Sequence, residues 1–180
     1  EISRRVSRVV TPGTGVDEGF VKQDRMNFVL AIGLVDAEGA LDLAWRDVST
    51  GAYFVRKSSL ANLRDDMLLV EPKEVVVPSD LASTRAGESV LAVLRAEEER
   101  ETWLISLSKT STATSSAQDI LGSYLASTLV ATPPPQTAPT LVDPSKLLQM
   151  DSTTLKSLEI RESLRGGVKG SLFSTVRRTV

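Results

Sequence analysis

The chain has 180 residues, 41% of them hydrophobic and 24% charged, with a net charge of −2 and a pI near 5.3. That length supports one ordinary domain, or one domain with part of a second, and a core that needs no staples. Cysteine and histidine are both absent, which removes disulfides, thiolate metal sites, cysteine nucleophiles and every serine–histidine arrangement.

Residues 2–10, ISRRVSRVV, suit a strand by β-branched content, without clean alternation. Thr11–Thr14, TPGT, is a turn by composition, and 15–25 is polar connector. Phe28–Val35, FVLAIGLV, is a continuous apolar run of the kind a strand buried on both faces requires. Asp36–Gly39 is a hairpin turn, and Leu41, Leu43 and Trp45 alternate with polar or small residues in a second strand. A turn at Ser49-Thr50-Gly51 leads to a third strand over Ala52–Arg56.

The period then becomes helical. Leu60, Leu63, Met67 and Val70 form a stripe behind Ser58 or Ser59 as N-cap, ended by Pro72. Glu74–Val77 is a short strand closed by Pro78. Glu88–Glu99 is a second helix with an acidic, solvated end, and Trp103–Leu107 is a fifth strand. Ser108–Ser116 is a small, polar loop. Ser116 and Asp119 stand in capping-box relation before a helix with apolar Ile120, Leu121, Tyr124 and Leu125. Pro133-Pro134-Pro135, with Pro139 and Pro144, marks a linker. Beyond it, Leu147–Met150 is a short extended piece, Asp151 caps a helix, Gly166-Gly167 breaks it, and Ser171–Arg178 forms a further turn or two.

The fold class expected is α/β. The order βββαβαβα gives a ribonuclease-H-like mixed five-stranded sheet, followed by the start of an all-α domain. The boundaries are a linker over 1–25, the sheet domain over 26–132, a proline-rich linker over 133–144 and the helical start over 145–180. Opening on Glu1 and closing on TVRRTV, the chain reads as a piece of something larger. The first ten residues lack the apolar core of a secretory signal, and no apolar run reaches the roughly 18 residues of a membrane span.

Fold alone licenses no chemistry. A two-metal nuclease on this fold needs clustered carboxylates, one at the middle of the first strand, and Phe28–Val35 has none. Asp42 and Asp47 point to opposite faces, and Asp47 is placed to accept N–H groups from the following turn. Trp45 and Trp103 fall in strands as core residues. Gly166–Ser171 has phosphate-loop residue types in the wrong order. No catalytic, metal or cofactor-binding residues are assigned. Lys169, Arg177 and Arg178 are the candidate phosphate contacts, in a tail (151–180) with six Lys/Arg against three Asp/Glu. Two further classes stay open: an interaction module unrelated to DNA, and a metal-dependent nuclease.

Several stretches are more specific. Arg5–Thr14, RVSRVVTPGT, followed by Asp17-Glu18, resembles the segment that joins the mismatch-binding domain to the connector domain in MutS-family DNA mismatch repair proteins. Leu43–Phe54 resembles the hairpin inside that connector, and Pro72–Pro78, PKEVVVP, its next strand. Met150–Ile160 and Gly170–Val180 resemble the entry into the helical core domain. The resemblance implies a ribonuclease-H-like connector without nuclease activity. It also implies a longer protein that uses ATP and Mg²⁺, binds mismatched DNA as a dimer, packs against its own other domains and meets a downstream repair partner. It implies an intracellular protein without membrane attachment. Val168–Leu172 and Arg177-Arg178 resemble the fungal mitochondrial branch more than bacterial members, which suggests the mitochondrion, with the nucleus and the bacterial cytoplasm as alternatives. The family's Phe-x-Glu mismatch-reading motif is missing: Phe20, Phe28, Phe54 and Phe173 are followed two residues on by Lys22, Leu30, Arg56 and Thr175. The phosphate loop of its ATPase is missing as well.

Overall fold

The structure is a computed structural model that describes residues 11, 13, 27–34, 39–95, 103–109, 116–129, 137–146, 150, 152–160, 163–167 and 169–177. The chain divides into two compact units, Glu1–Val142 and Asp143–Val180.

The first unit is an α/β layer structure around a mixed sheet. Its strands are β1 (Phe28–Leu34), β2 (Ala40–Asp47), β3 (Tyr53–Ser59), β4 (Glu74–Pro78), β5 (Leu104–Ser108) and β6 (Thr140–Leu141), in the order β5-β4-β1-β2-β3-β6. The first three form an antiparallel meander, while β4 joins β1, β5 joins β4 and β6 joins β3 in parallel. One face of the sheet presents Leu30, Ile32, Leu43, Val75 and Val77 to α1 (Leu63–Val70), α2 (Ser79–Ala82) and α3 (Arg85–Arg95). The other presents Val29, Ala31, Ala44 and Val76 to α4 (Ala117–Thr128) through Ile120, Leu121 and Leu125. β1 and β4 are therefore covered on both sides, which is why their sequences are continuous apolar runs and not alternating ones.

The α4 start is the expected one. The Ser116 hydroxyl accepts from the Asp119 N–H, and Asp119 accepts in return from the Ser116 N–H. Elsewhere the local signals mislead. β3 runs on to Ser59, past the expected end at Arg56, because β2 is long enough to pair with it through Ala40↔Ser59. Ser58 and Ser59 are thus strand residues, and α1 begins behind Asn62 with no side-chain cap. α1 ends where Glu71 turns left-handed (φ 50°) ahead of Pro72, which has no N–H to donate to a further helical turn. The short helix α2 was not expected. α3 starts at Arg85, three residues before the expected Glu88, with the Gly87 N–H donating to the Thr84 hydroxyl at 3.1 Å.

The sheet also has a sixth strand. Thr140–Leu141 lies in the stretch expected to be linker, yet pairs with Phe54 and Val55. The Thr137 hydroxyl donates to the Gly51 carbonyl at 2.7 Å just before it. The edge of β3 offers unpaired backbone groups, and an extended, proline-flanked segment can occupy it at small conformational cost. The expected strand over 2–10, most of the 36–39 turn, the acidic run after Arg95, most of the 108–116 loop, 147–149 and Asp151 lie outside the described residues.

The second unit holds a 3-10 turn at Pro144–Lys146, then α5 (Ser152–Ser157) and α6 (Leu172–Arg177). Gly166, Gly167 and Gly170 all have positive φ between these helices. The Leu172 and Phe173 N–H groups donate to the Glu159 and Ile160 carbonyls, which ties the start of α6 to the stretch just after α5. Leu158, Leu164, Leu172, Phe173 and Val176 are all exposed.

Candidate functional site

The carboxylates decide what chemistry this unit can hold, and each described one on the sheet has a structural occupation. Asp42, on the α4 face of β2, accepts from the Ala117 N–H at the helix start (3.3 Å) and pairs with Lys57 (3.2 Å). Asp47 closes the β2–β3 turn: its Oδ1 accepts from the Ser49 N–H (2.8 Å), the Ser49 hydroxyl (2.6 Å) and the Thr50 N–H (3.4 Å). That is the role the sequence suggested for it.

Burial alone would push the Asp47 carboxyl up, but the hydrogen bonds from Ser49 and Thr50 outweigh it and hold the group below its usual range. A carboxylate depressed in the folded state binds fewer protons there than in the unfolded chain. Its contribution is complete above the unfolded value of about 3.9 and is lost as pH falls through the folded one. Asp47→Ala is expected to cost about 2 kcal/mol at neutral pH, the worth of bonds to a charged acceptor. In urea titrations the gap between wild type and variant should narrow below about pH 4. A gap that stays constant down to about pH 3 would contradict the assignment.

Asp66 sits under β3, bonded by the Ser58 hydroxyl and paired with the Arg56 guanidinium at 2.7 Å. Burial pushes its carboxyl above the usual value despite both partners.

Glu74, at the head of β4, is fully buried. Its Oε1 accepts from the Ser106 hydroxyl of β5 and the Tyr124 hydroxyl of α4, each at 2.5 Å. Its Oε2 accepts from the Thr11 hydroxyl at 2.5 Å and the Gly13 N–H at 3.1 Å. Four donors fill the acceptor capacity of an ionised carboxylate. Burial first, and then the Glu74 carboxylate, push the Tyr124 hydroxyl above its ordinary value, so the phenol stays a donor. Sequence reading missed this hub. The available signal was an acid placed in an otherwise apolar, doubly covered strand.

Among the described residues, no three Asp or Glu side chains come close enough to hold a metal ion. Of the candidate phosphate contacts, Lys169 is exposed in the turn before α6, Arg177 is the last residue of α6, and Arg178 lies outside the described residues. Trp45 is core: it is buried and stacks on Phe54, whose ring meets Phe28 edge-on. Trp103 packs half-buried against the same cluster.

The fold and its carboxylates thus define an α/β sheet unit in which Asp42, Asp47, Asp66 and Glu74 are engaged in structure. No protein-family model matches the chain. Over 99% of its length it is 32% identical, across 195 aligned residues, to the DNA mismatch repair protein MutS of Cereibacter sphaeroides. It is 30% identical across 198 residues to the DNA mismatch repair protein MutS of a Ruegeria species, again over 99% of its length. The chain spans 22% of the length of each of these relatives. The chain is therefore similar to these two mismatch repair proteins along almost its whole length, beyond the stretches that carry the motifs.

Proposed function

We propose that the chain is the connector of a MutS-like DNA mismatch repair ATPase, followed by the first part of a helical core domain. The similarity along 99% of the chain to two mismatch repair proteins carries this reading. The engaged carboxylates support it from the other side, since the unit has structural uses for the acids a nuclease would need free. In this reading the sheet unit has the ribonuclease-H-like fold as a scaffold and not as an enzyme. It couples the flanking domains and offers a surface to a downstream repair partner. ATP and Mg²⁺ bind elsewhere in the longer protein, and mismatched DNA is read elsewhere by its dimer. Lys169, Arg177 and Arg178 touch DNA phosphates at most as non-specific contacts. The protein works inside the cell, and the Val168–Leu172 and Arg177-Arg178 stretches favour the mitochondrion.

The DNA-binding part of this reading has a direct test. With a pI near 5.3 and no Phe-x-Glu motif, the chain should bind duplex DNA weakly and without regard to mismatches. Its affinity should lie at or beyond the weak end of non-specific binding, roughly 10⁻⁴ M, and fall steeply with salt. A titration in which mismatched duplex is preferred about tenfold over matched duplex at physiological salt would overturn the proposal.

A further inference from the structure

Thr11 and Gly13 precede β1, yet both bond to a buried carboxylate at the head of β4. We propose that the Thr11–Gly13 turn is a latch that clamps the segment before the sheet onto Glu74. Motion of a body joined on that side would then reach the sheet no closer than Thr11.

The latch has a fixed catch. The Glu74 oxygen opposite the turn is held by Ser106 and Tyr124, so the carboxylate cannot follow the turn outward without breaking bonds to β5 and α4. The fit is also close. A Cβ at Gly13 would lie 2.6 Å from both the Cβ and Oε2 of Glu74 and 2.8 Å from Cγ2 of Val29. Gly13 does not have a positive φ, so the requirement is for space and not for a special backbone conformation. The same stretch of sheet receives the chain again, because Val29 is the register partner of Glu74 and the Asn27 carbonyl accepts from the Val48 N–H. Gly13 and Asn27 are thus both attached to the sheet. Two donors from a short turn onto one buried carboxylate make an attachment that can open without unfolding the sheet.

The anchoring stands on this geometry. That a preceding body exists to be steered rests on the connector reading, which the following experiment does not test.

Amide exchange of the 180-residue chain, followed residue by residue, reads the latch directly. In the wild type the Gly13 N–H should exchange at least about a hundredfold more slowly than an unstructured amide. Thr11→Val keeps the shape and removes one donor, and should speed Gly13 exchange about tenfold while Leu30 and Leu43 are unchanged. Gly13→Ala should bring residue 13 to the unstructured rate. If Gly13→Ala also loosens Leu30 and Leu43, Thr11→Val decides between latch and core. An unprotected Gly13 in the wild type overturns the proposal, as does a Thr11→Val chain whose residue 13 exchanges at the wild-type rate.

Discussion

Glu74→Ala is expected to lower the stability of the sheet unit by about 4 kcal/mol, among the largest single-residue losses a core position gives. The reason is the set of donors and not the lost side chain itself. Removing the carboxylate strands the Tyr124 and Ser106 hydroxyls together with the Thr11 hydroxyl and the buried Gly13 N–H. Each unsatisfied buried donor costs about 1–3 kcal/mol, less where water can reach it. Glu74→Gln keeps the volume and one acceptor oxygen, but turns an NH₂ group toward one of the two donor pairs. It should cost about half as much. Urea unfolding monitored by Trp45 and Trp103 fluorescence checks both values. A Glu74→Ala loss under about 1 kcal/mol would mean that the four bonds do not hold the unit together.

Asp66→Ala should cost about 3–5 kcal/mol, because it leaves a guanidinium buried without its counter-charge. The Arg56 side chain is only 11% exposed and the Asp66 side chain 3%. Burial raises the Asp66 carboxyl in spite of Arg56, so desolvation outweighs the attraction within the pair. Two consequences follow. The folded state binds more protons here than the unfolded chain, so this group's contribution falls as pH rises from about 3.9 through its raised value, opposite to Asp47. Replacing both partners, as Arg56→Met with Asp66→Leu, should cost less than either single change, since a buried pair exchanged for apolar side chains is often near neutral. A double variant less stable than Asp66→Ala alone would show that the pair is a net source of stability.

The parts of the fold legible in the sequence were those fixed by contacts a few residues apart. β1 and β4 announced themselves as apolar runs, and α4 by the Ser116–Asp119 box ahead of its stripe. Ser58 and Ser59 show the limit: a serine before a helical stripe serves equally well as an N-cap or as the end of a strand. Only the length of the partner strand β2 decides between them. β6 has no local signal, since Thr140–Leu141 becomes a strand by pairing with residues more than 80 positions earlier. The Glu74 hub is hidden for the same reason. Its donors come from Thr11, Ser106 and Tyr124, separated from it by 63, 32 and 50 positions, and no periodicity brings such residues together. The TPGT motif could be recognised as specific, while the reason for its glycine became visible only when the carboxylate lay against it.

The connector reading is tested most directly by exchange of parts. In the MutS of Cereibacter sphaeroides, the stretch aligned with this chain over 195 residues is replaced by the chain itself, and the hybrid is expressed in a strain lacking its own MutS. The spontaneous mutation rate is then measured beside the parent and the deletion strain. A connector that carries neither reader nor motor should restore repair, bringing the rate down toward the parental one. A hybrid that is folded and present at parental levels, yet leaves the mutation rate at that of the deletion strain, would contradict the account.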